Sequence, residues 1–222
     1  MKPRIFFASA IFFCFFSTST IALACPTIDG LADVNCDGKL KILAFGDSIT
    51  FGRRDFAYTY NSVRRGYPGR LRLLFPNATV INSGVPGENS YYGKKRIKSV
   101  LAKVKRADYV IILEGVNDYF SPVRSPSLTR AHLLSMVRAA QATGAVTLLS
   151  KLTPVDRVGE YQWAQSVNEA IADITTLDFS GLTLNLLSYD GLHPNGKGYD
   201  YMANTIANSL MDISQQLLNP QP

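Results

Sequence analysis

The sequence predicts an α/β protein built on a parallel sheet, and three observations carry that expectation. Five short apolar runs rich in Val, Ile and Leu recur along the chain, each of the length and composition of a strand buried on both faces. Amphipathic stretches with apolar residues at i, i+3, i+4 and i+7 lie between them. Polar segments containing glycine follow four of the runs, and in such sheets ligands sit beyond the carboxyl ends of the strands.

Taken in order, residues 1–24 read as a signal peptide. Lys2 and Arg4 are followed by an apolar run from Ile5 to Phe16, and Ala22-Leu23-Ala24 has the small-x-small pattern of a cleavage site. The run is shorter than the roughly 20 residues a bilayer span needs. Cleavage after Ala24 and a secreted or periplasmic location are therefore expected; a retained anchor and a lipidated Cys25 are the alternatives. Residues 25–39 form an N-terminal arm in which an exported protein would join Cys25 to Cys36, free thiols being the other reading. Asp33-Val34-Asn35-Cys36-Asp37-Gly38 has the spacing of the first half of a calcium loop. The twelfth position is Ala44 rather than Glu, and a strand pattern follows instead of a helix, so an Asp-Gly turn is expected there.

One domain is expected over 40–216, with a short tail at 217–222. Its strands are expected at Leu40–Phe45, Ala78–Asn82, Tyr109–Leu113, Ala145–Ser150 and Leu182–Leu187. Helical spacing marks Ile97–Val104, Leu133–Ala140 with Gly144 as a stop, Trp163–Ile174 and Tyr199–Leu210. The alternation predicts a sandwich with right-handed crossovers. Hydrophobic residues make up 46% and charged residues 18% of the 222, which excludes a disordered chain. The net charge is +6, or +4 without Lys2 and Arg4, with clusters at Arg53, Arg54, Arg64, Arg65, Arg70 and Arg72 and at Lys94, Lys95, Arg96 and Lys98. These read as a solvated face; anionic substrates or membrane surfaces are the sharper reading. No aromatic-basic signature accompanies them, so a nucleic-acid partner is not expected.

The segments after the strands carry the chemistry. Gly46-Asp47-Ser48-Ile49-Thr50 follows the first and would project Ser48 from the sheet edge, unless Ser48 is only a helix N-cap. Asn82-Ser83-Gly84-Val85-Pro86-Gly87-Glu88-Asn89 follows the second, where the uncrowded N–H of Gly84 could face a developing oxyanion. Gly115-Val116-Asn117-Asp118 follows the third, and the Asn117 amide could serve the same oxyanion or close a turn. Asp190-Gly191-Leu192-His193-Pro194-Asn195 follows the fifth. His193 lies in a loop three residues after an acid able to orient it. His132, inside a helical pattern, reads as surface or packing. No histidine or cysteine cluster supports a metal. A weak alcohol nucleophile needs a base, the base an orienting acid, and the oxyanion donors; one sheet edge supplies all three.

These four blocks resemble those of the SGNH hydrolases, also called GDSL esterases and lipases, over about Leu40 to Leu210. The resemblance implies a flavodoxin-like three-layer sandwich of five parallel strands. It also implies Ser48 as nucleophile, Asp190 and His193 completing a triad, and an oxyanion hole from Ser48, Gly84 and Asn117. Asp47 supports the turn, and no cofactor is expected. The substrate is expected to be a short-chain acyl, lysophospholipid or carbohydrate O-acetyl ester, with Phe56, Tyr58, Tyr60, Tyr67, Tyr91, Tyr92, Tyr119 and Phe120 candidates for the entrance. A non-catalytic glycan-binding module on the same fold is the alternative.

Overall fold

The structure is a computed structural model that describes residues 25–59 and 61–219. The segment read as a signal peptide and the end of the tail lie outside them. The arm makes a two-stranded antiparallel hairpin, β1 (Thr27–Ile28) and β2 (Leu31–Ala32), and Cys25 and Cys36 are joined in a disulfide. Both Asp33 oxygens are occupied by backbone donors, the N–H groups of Asp37 (3.3 Å) and Gly38 (2.6 Å), which makes the Asp-Gly turn.

Four parallel strands form the sheet: β3 (Leu40–Gly46), β4 (Ala78–Gly84), β5 (Tyr109–Leu113) and β6 (Val146–Leu149), in the order β4-β3-β5-β6. Every residue of β5 is buried, as is all of β3 except Lys41, because helices cover both faces. Helices α2 (Gly66–Leu74) and α6 (Gly196–Leu218) pack together on one side; α3 (Ser90–Val104), α4 (Pro126–Gln141) and α5 (Glu160–Ala170) pack in series on the other. The result is the three-layer α/β/α sandwich. The chain leaves β3 toward β4, then returns across β3 to β5, so the winding reverses at β3. The crevice above such a reversal is where this class of sheet binds ligands.

Two expectations change. The fifth strand does not form at Leu182–Leu187: Leu184–Leu186 is a 3-10 turn. Asn195 takes its backbone instead, donating its side-chain amide to the carbonyls of Asn185 (2.9 Å) and Leu187 (3.0 Å) and its N–H to that of Leu186 (2.8 Å). The fifth sheet position is held by Leu177, through one parallel bridge to Ser150. Second, the arginine-rich segment is not simply a solvated face. Arg70 is buried in α2, where it meets Asp55 at 2.5 Å, the Gly196 carbonyl at 2.9 Å and Asp200. Arg72 donates to the Val80 carbonyl at 2.8 Å. Helix α2 was not legible because its arginines, which read as outward-facing, hold it against β4 and α6.

Candidate active site

The site is assembled where β3 stops. Gly46 ends the strand against the Leu113 carbonyl, only 2.0 Å from where a Cβ would sit, so no side chain fits. Asp47 then caps a one-turn helix, α1 (Ser48–Phe51), accepting from the Ile49 N–H at 2.9 Å. Asp47 is therefore the cap, and Ser48, at the first helical position, keeps its hydroxyl free for other work. Gly52, at φ 91°, closes the turn.

Across the sheet edge, the chain from Leu187 to Pro194 doubles back on itself through an antiparallel bridge between those two residues, and Ser188 N–H donates to the His193 carbonyl at 2.7 Å. This brings His193 Nε2 to 2.8 Å from Ser48 Oγ. On the other side of the ring, His193 Nδ1 lies 2.7 Å from Asp190 Oδ2. Asp190 Oδ1 accepts the N–H groups of Leu192 (3.1 Å) and His193 (3.0 Å), and Arg54 Nε donates to Oδ2 at 3.1 Å. Burial would raise the Asp190 pKa, but the His193 N–H, the imidazole and the Leu192 N–H outweigh it and hold the group well below the usual carboxylate range. For His193, burial is the largest influence and lowers its pKa. Asp190 opposes that shift, while Arg53 and Arg157 add to it. The imidazole is thus neutral near pH 7, the state in which Nε2 can accept a proton.

The remaining expected donors separate. Asn117 sits in a 3-10 turn (Val116–Phe120) after β5 and donates one amide N–H to the Glu88 carbonyl at 2.8 Å, leaving its second available. Ser48 N–H, in the first turn of α1, has no acceptor within the helix. Gly84 differs from expectation: its N–H is donated to Asn82 Oδ1 at 2.9 Å. A Cβ at 84 would lie 2.2 Å from the Phe51 nitrogen, so this glycine serves the close approach of β4 to α1. Three residues on, Gly87 has φ +80°, open space around its Cβ position, and an N–H that no described residue accepts.

Side chains that sequence reasoning passed over hold these loops. Asp118 accepts the Ser90 N–H (2.7 Å), the Ser90 hydroxyl (2.5 Å) and the Thr129 hydroxyl (2.5 Å), tying the Asn117 turn to α3 and α4. His132, read as surface or packing, is buried with Nδ1 2.8 Å from Ser90 Oγ. Here the serine lies between acid and imidazole, with its hydroxyl proton donated to Asp118 Oδ2. Arg96 grips Glu88 at 2.5 Å and Ser83 Oγ at 2.7 Å. Asp47 and Glu114 are buried below; desolvation first, then neighbouring carboxyls, push Asp47 up to about 7 and Glu114 well above its ordinary value. An acid directly after a buried strand was the available signal for Glu114. Cavities of about 480 Å³ beside Lys151–Val155 and about 340 Å³ around Ser90 and His132 lie to the side, and neither Ser48 nor His193 lines them.

An alcohol, a neutral imidazole and an ionised acid in hydrogen-bonded sequence can activate the alcohol as a nucleophile. The model of the GDSL-like lipase/acylhydrolase family matches residues 44–201, from the end of β3 into α6. The chain belongs to that family. It is a serine hydrolase of ester bonds. No curated protein matches it. Among solved structures, a member of the lipolytic protein G-D-S-L family from Veillonella parvula DSM 2008 is 22% identical, with 76% of this chain and 97% of that one covered at a TM-score of 0.62. The psychrotrophic esterase EstA from Pseudoalteromonas sp. is 20% identical, covering 78% and 97% at 0.61. Est24, a carbohydrate acetylesterase from Sinorhizobium meliloti, is 18% identical, covering 79% and 100% at 0.66. The GDSL fold is common to all three.

Proposed function

We propose that this protein is an exported esterase that cleaves carboxylic esters through an acyl-enzyme on Ser48, with His193 as base and Asp190 as its orienting acid. The observation that carries the reading is the unbroken relay of 2.8 Å from Ser48 to His193 and 2.7 Å from His193 to Asp190. Ser48 Oγ attacks the ester carbonyl as its proton passes to Nε2, and Asp190 stabilises the imidazolium. The negative charge moves to the carbonyl oxygen, where the free Asn117 N–H and the Ser48 N–H receive it. The Gly87 N–H takes the third place, since the Gly84 N–H is already engaged. The imidazolium then protonates the departing alkoxide. Water, deprotonated by His193, attacks the acyl-enzyme and releases the acid and Ser48.

The disulfide between Cys25 and Cys36 fits an oxidising compartment and so supports export. Short-chain acyl esters, carbohydrate O-acetyl esters and lysophospholipids are the substrate classes in view, and a carbohydrate acetylesterase stands among the similar structures. The test is release of p-nitrophenol from the acetate, butyrate and octanoate esters. Wild type is expected to turn over and Ser48→Ala is not; equal rates for the two proteins would remove Ser48 from the chemistry.

A further inference from the structure

The mouth of the site carries one more arginine than its own architecture uses. Helix α1 ends at Gly52, and Arg53 and Arg54 follow. Arg54 is engaged: it donates to Asp190 Oδ2 at 3.1 Å, and its guanidinium lies 4.7 Å from the Tyr189 ring centroid. Arg157 donates to the Asp190 carbonyl at 2.6 Å and faces Glu160 at 3.3 Å. Arg53 differs. Its N–H donates to the Ser48 carbonyl at 2.9 Å and its carbonyl accepts from the Tyr199 hydroxyl at 2.7 Å, which pins its backbone against the nucleophile's own turn. Its side chain is exposed, and no carboxylate among the described residues lies within ion-pair distance, although Asp156 and Asp190 belong to neighbouring loops.

That charge is felt at the reacting centre. After burial and the opposing pull of Asp190, Arg53 is the foremost cation disfavouring protonation of His193, ahead of Arg157. An unneutralised cation there works against the base, because His193 must become an imidazolium as the ester is attacked. A substrate that brings its own anion to Arg53 removes the opposition and gains a charge-assisted contact at once. A neutral ester gains neither.

We propose that Arg53 is an anion subsite, so that the preferred ester carries a carboxylate or phosphate group within reach of the scissile bond. This deepens the esterase reading above and rests on it. The guanidinium fork suits either oxyanion in a two-point contact. The exposed rings of Phe56 and Tyr189, 6.3 Å apart and 12° from parallel, stack beside the neighbouring Arg54 and offer an apolar surface to the uncharged remainder.

The experiment compares kcat/KM within matched ester pairs. Phenyl acetate against 3-acetoxybenzoate places the anion on the alcohol; phenyl butyrate against monophenyl glutarate places it on the acyl group. Wild type is expected to favour the anionic member of one pair, and which pair identifies the side Arg53 serves. Arg53→Gln should lower that anionic-to-neutral ratio about tenfold, the size of one charge-assisted hydrogen bond. Arg53→Glu should invert the preference, Arg53→Lys should retain part of it, and added salt should erode it in wild type. The ratio cancels any shared effect on the base, and thermal melts check that the variants fold. If Arg53→Gln leaves both ratios unchanged, the subsite is refuted while esterase activity stands. If wild type cleaves none of the four esters, or if Ser48→Ala cleaves them as well as wild type does, the esterase reading itself fails.

Discussion

Replacing Asp190 with Asn keeps the shape of the acid and removes its charge. The Oδ1 side, which accepts two backbone N–H groups, can persist. The Oδ2 side cannot, because it faces two donors, His193 Nδ1 at 2.7 Å and Arg54 Nε at 3.1 Å. An amide nitrogen placed there must itself donate to Nδ1. That moves the ring proton to Nε2, the atom that has to accept from Ser48. The charge lost is also large in energy. Unit charges about 4 Å apart at an effective dielectric constant of about 20 attract by about 4 kcal/mol, or roughly a thousandfold in rate. Asp190 is mostly buried, so solvent screens little of this; Arg54 already neutralises part of the carboxylate, whereas the wrong tautomer adds to the loss. The expected fall in kcat/KM on p-nitrophenyl butyrate is about 10³, with the melting temperature little changed. The acidic limb of the remaining activity should move to lower pH than in wild type, since the imidazolium has lost the carboxylate that raises the His193 pKa. A fall of less than tenfold in a folded variant would refute the assignment of Asp190 as the orienting acid.

Three further outcomes are expected. Asn117→Ala should lower kcat by about 10²–10³ if its second amide N–H meets the oxyanion, and an unchanged kcat would exclude it. Asp55→Ala strips the buried Arg70 of its 2.5 Å partner and should cost about 3–5 kcal/mol in urea unfolding; a loss below about 1 kcal/mol would show that Asp200 suffices. Asp47, raised to about 7 when folded, binds a proton that the unfolded chain releases near its ordinary value of 3.8, so its contribution is fully present below that value and is lost as pH rises to about 7. Asp47→Asn should therefore flatten the fall in melting temperature between pH 4 and pH 8, and an unaltered slope would place the titration elsewhere.

The sequence was most legible where local chemistry and tertiary need agree. The Tyr109–Leu113 strand matches its expected bounds because an all-apolar, β-branched run has no other stable placement than the centre of a covered sheet. Ser48 was legible because it follows the end of a real strand, β3, whereas Asp190 and His193 were legible from a local pattern, a loop histidine three residues after an acid, that does not depend on the strand expected before it. Leu182–Leu187 misled because a short Leu-rich run fits a covered strand, while the deciding interaction, the Asn195 side chain on its carbonyls, is made from outside the segment. Gly84 misled for a similar reason. A glycine after a strand can free an N–H or let two backbones touch, and only the position of α1 shows that the second holds here.

The buried acids beneath the nucleophile follow from the same economy of charge. A negative charge fixed below the oxyanion hole would repel the tetrahedral intermediate, yet Asp47, Glu88, Glu114 and Asp118 all lie buried there. They divide by partners. Glu88 is held by Arg96, and Asp118 accepts three hydrogen bonds. Asp47 has one backbone donor and Glu114 a single long contact of 3.3 Å to the Gly115 N–H, with its other oxygen unpartnered among the described residues. Burial and the charge of the other two push the poorly partnered pair upward. Both are thereby biased toward their neutral forms, Asp47 being raised to about 7. At the other two, Arg96 on Glu88 and the N–H and hydroxyl dipoles on Asp118 offset negative charge. Those same contacts fix the loops that carry Gly87 and Asn117, so one set of interactions both limits the field under the oxyanion and positions its donors.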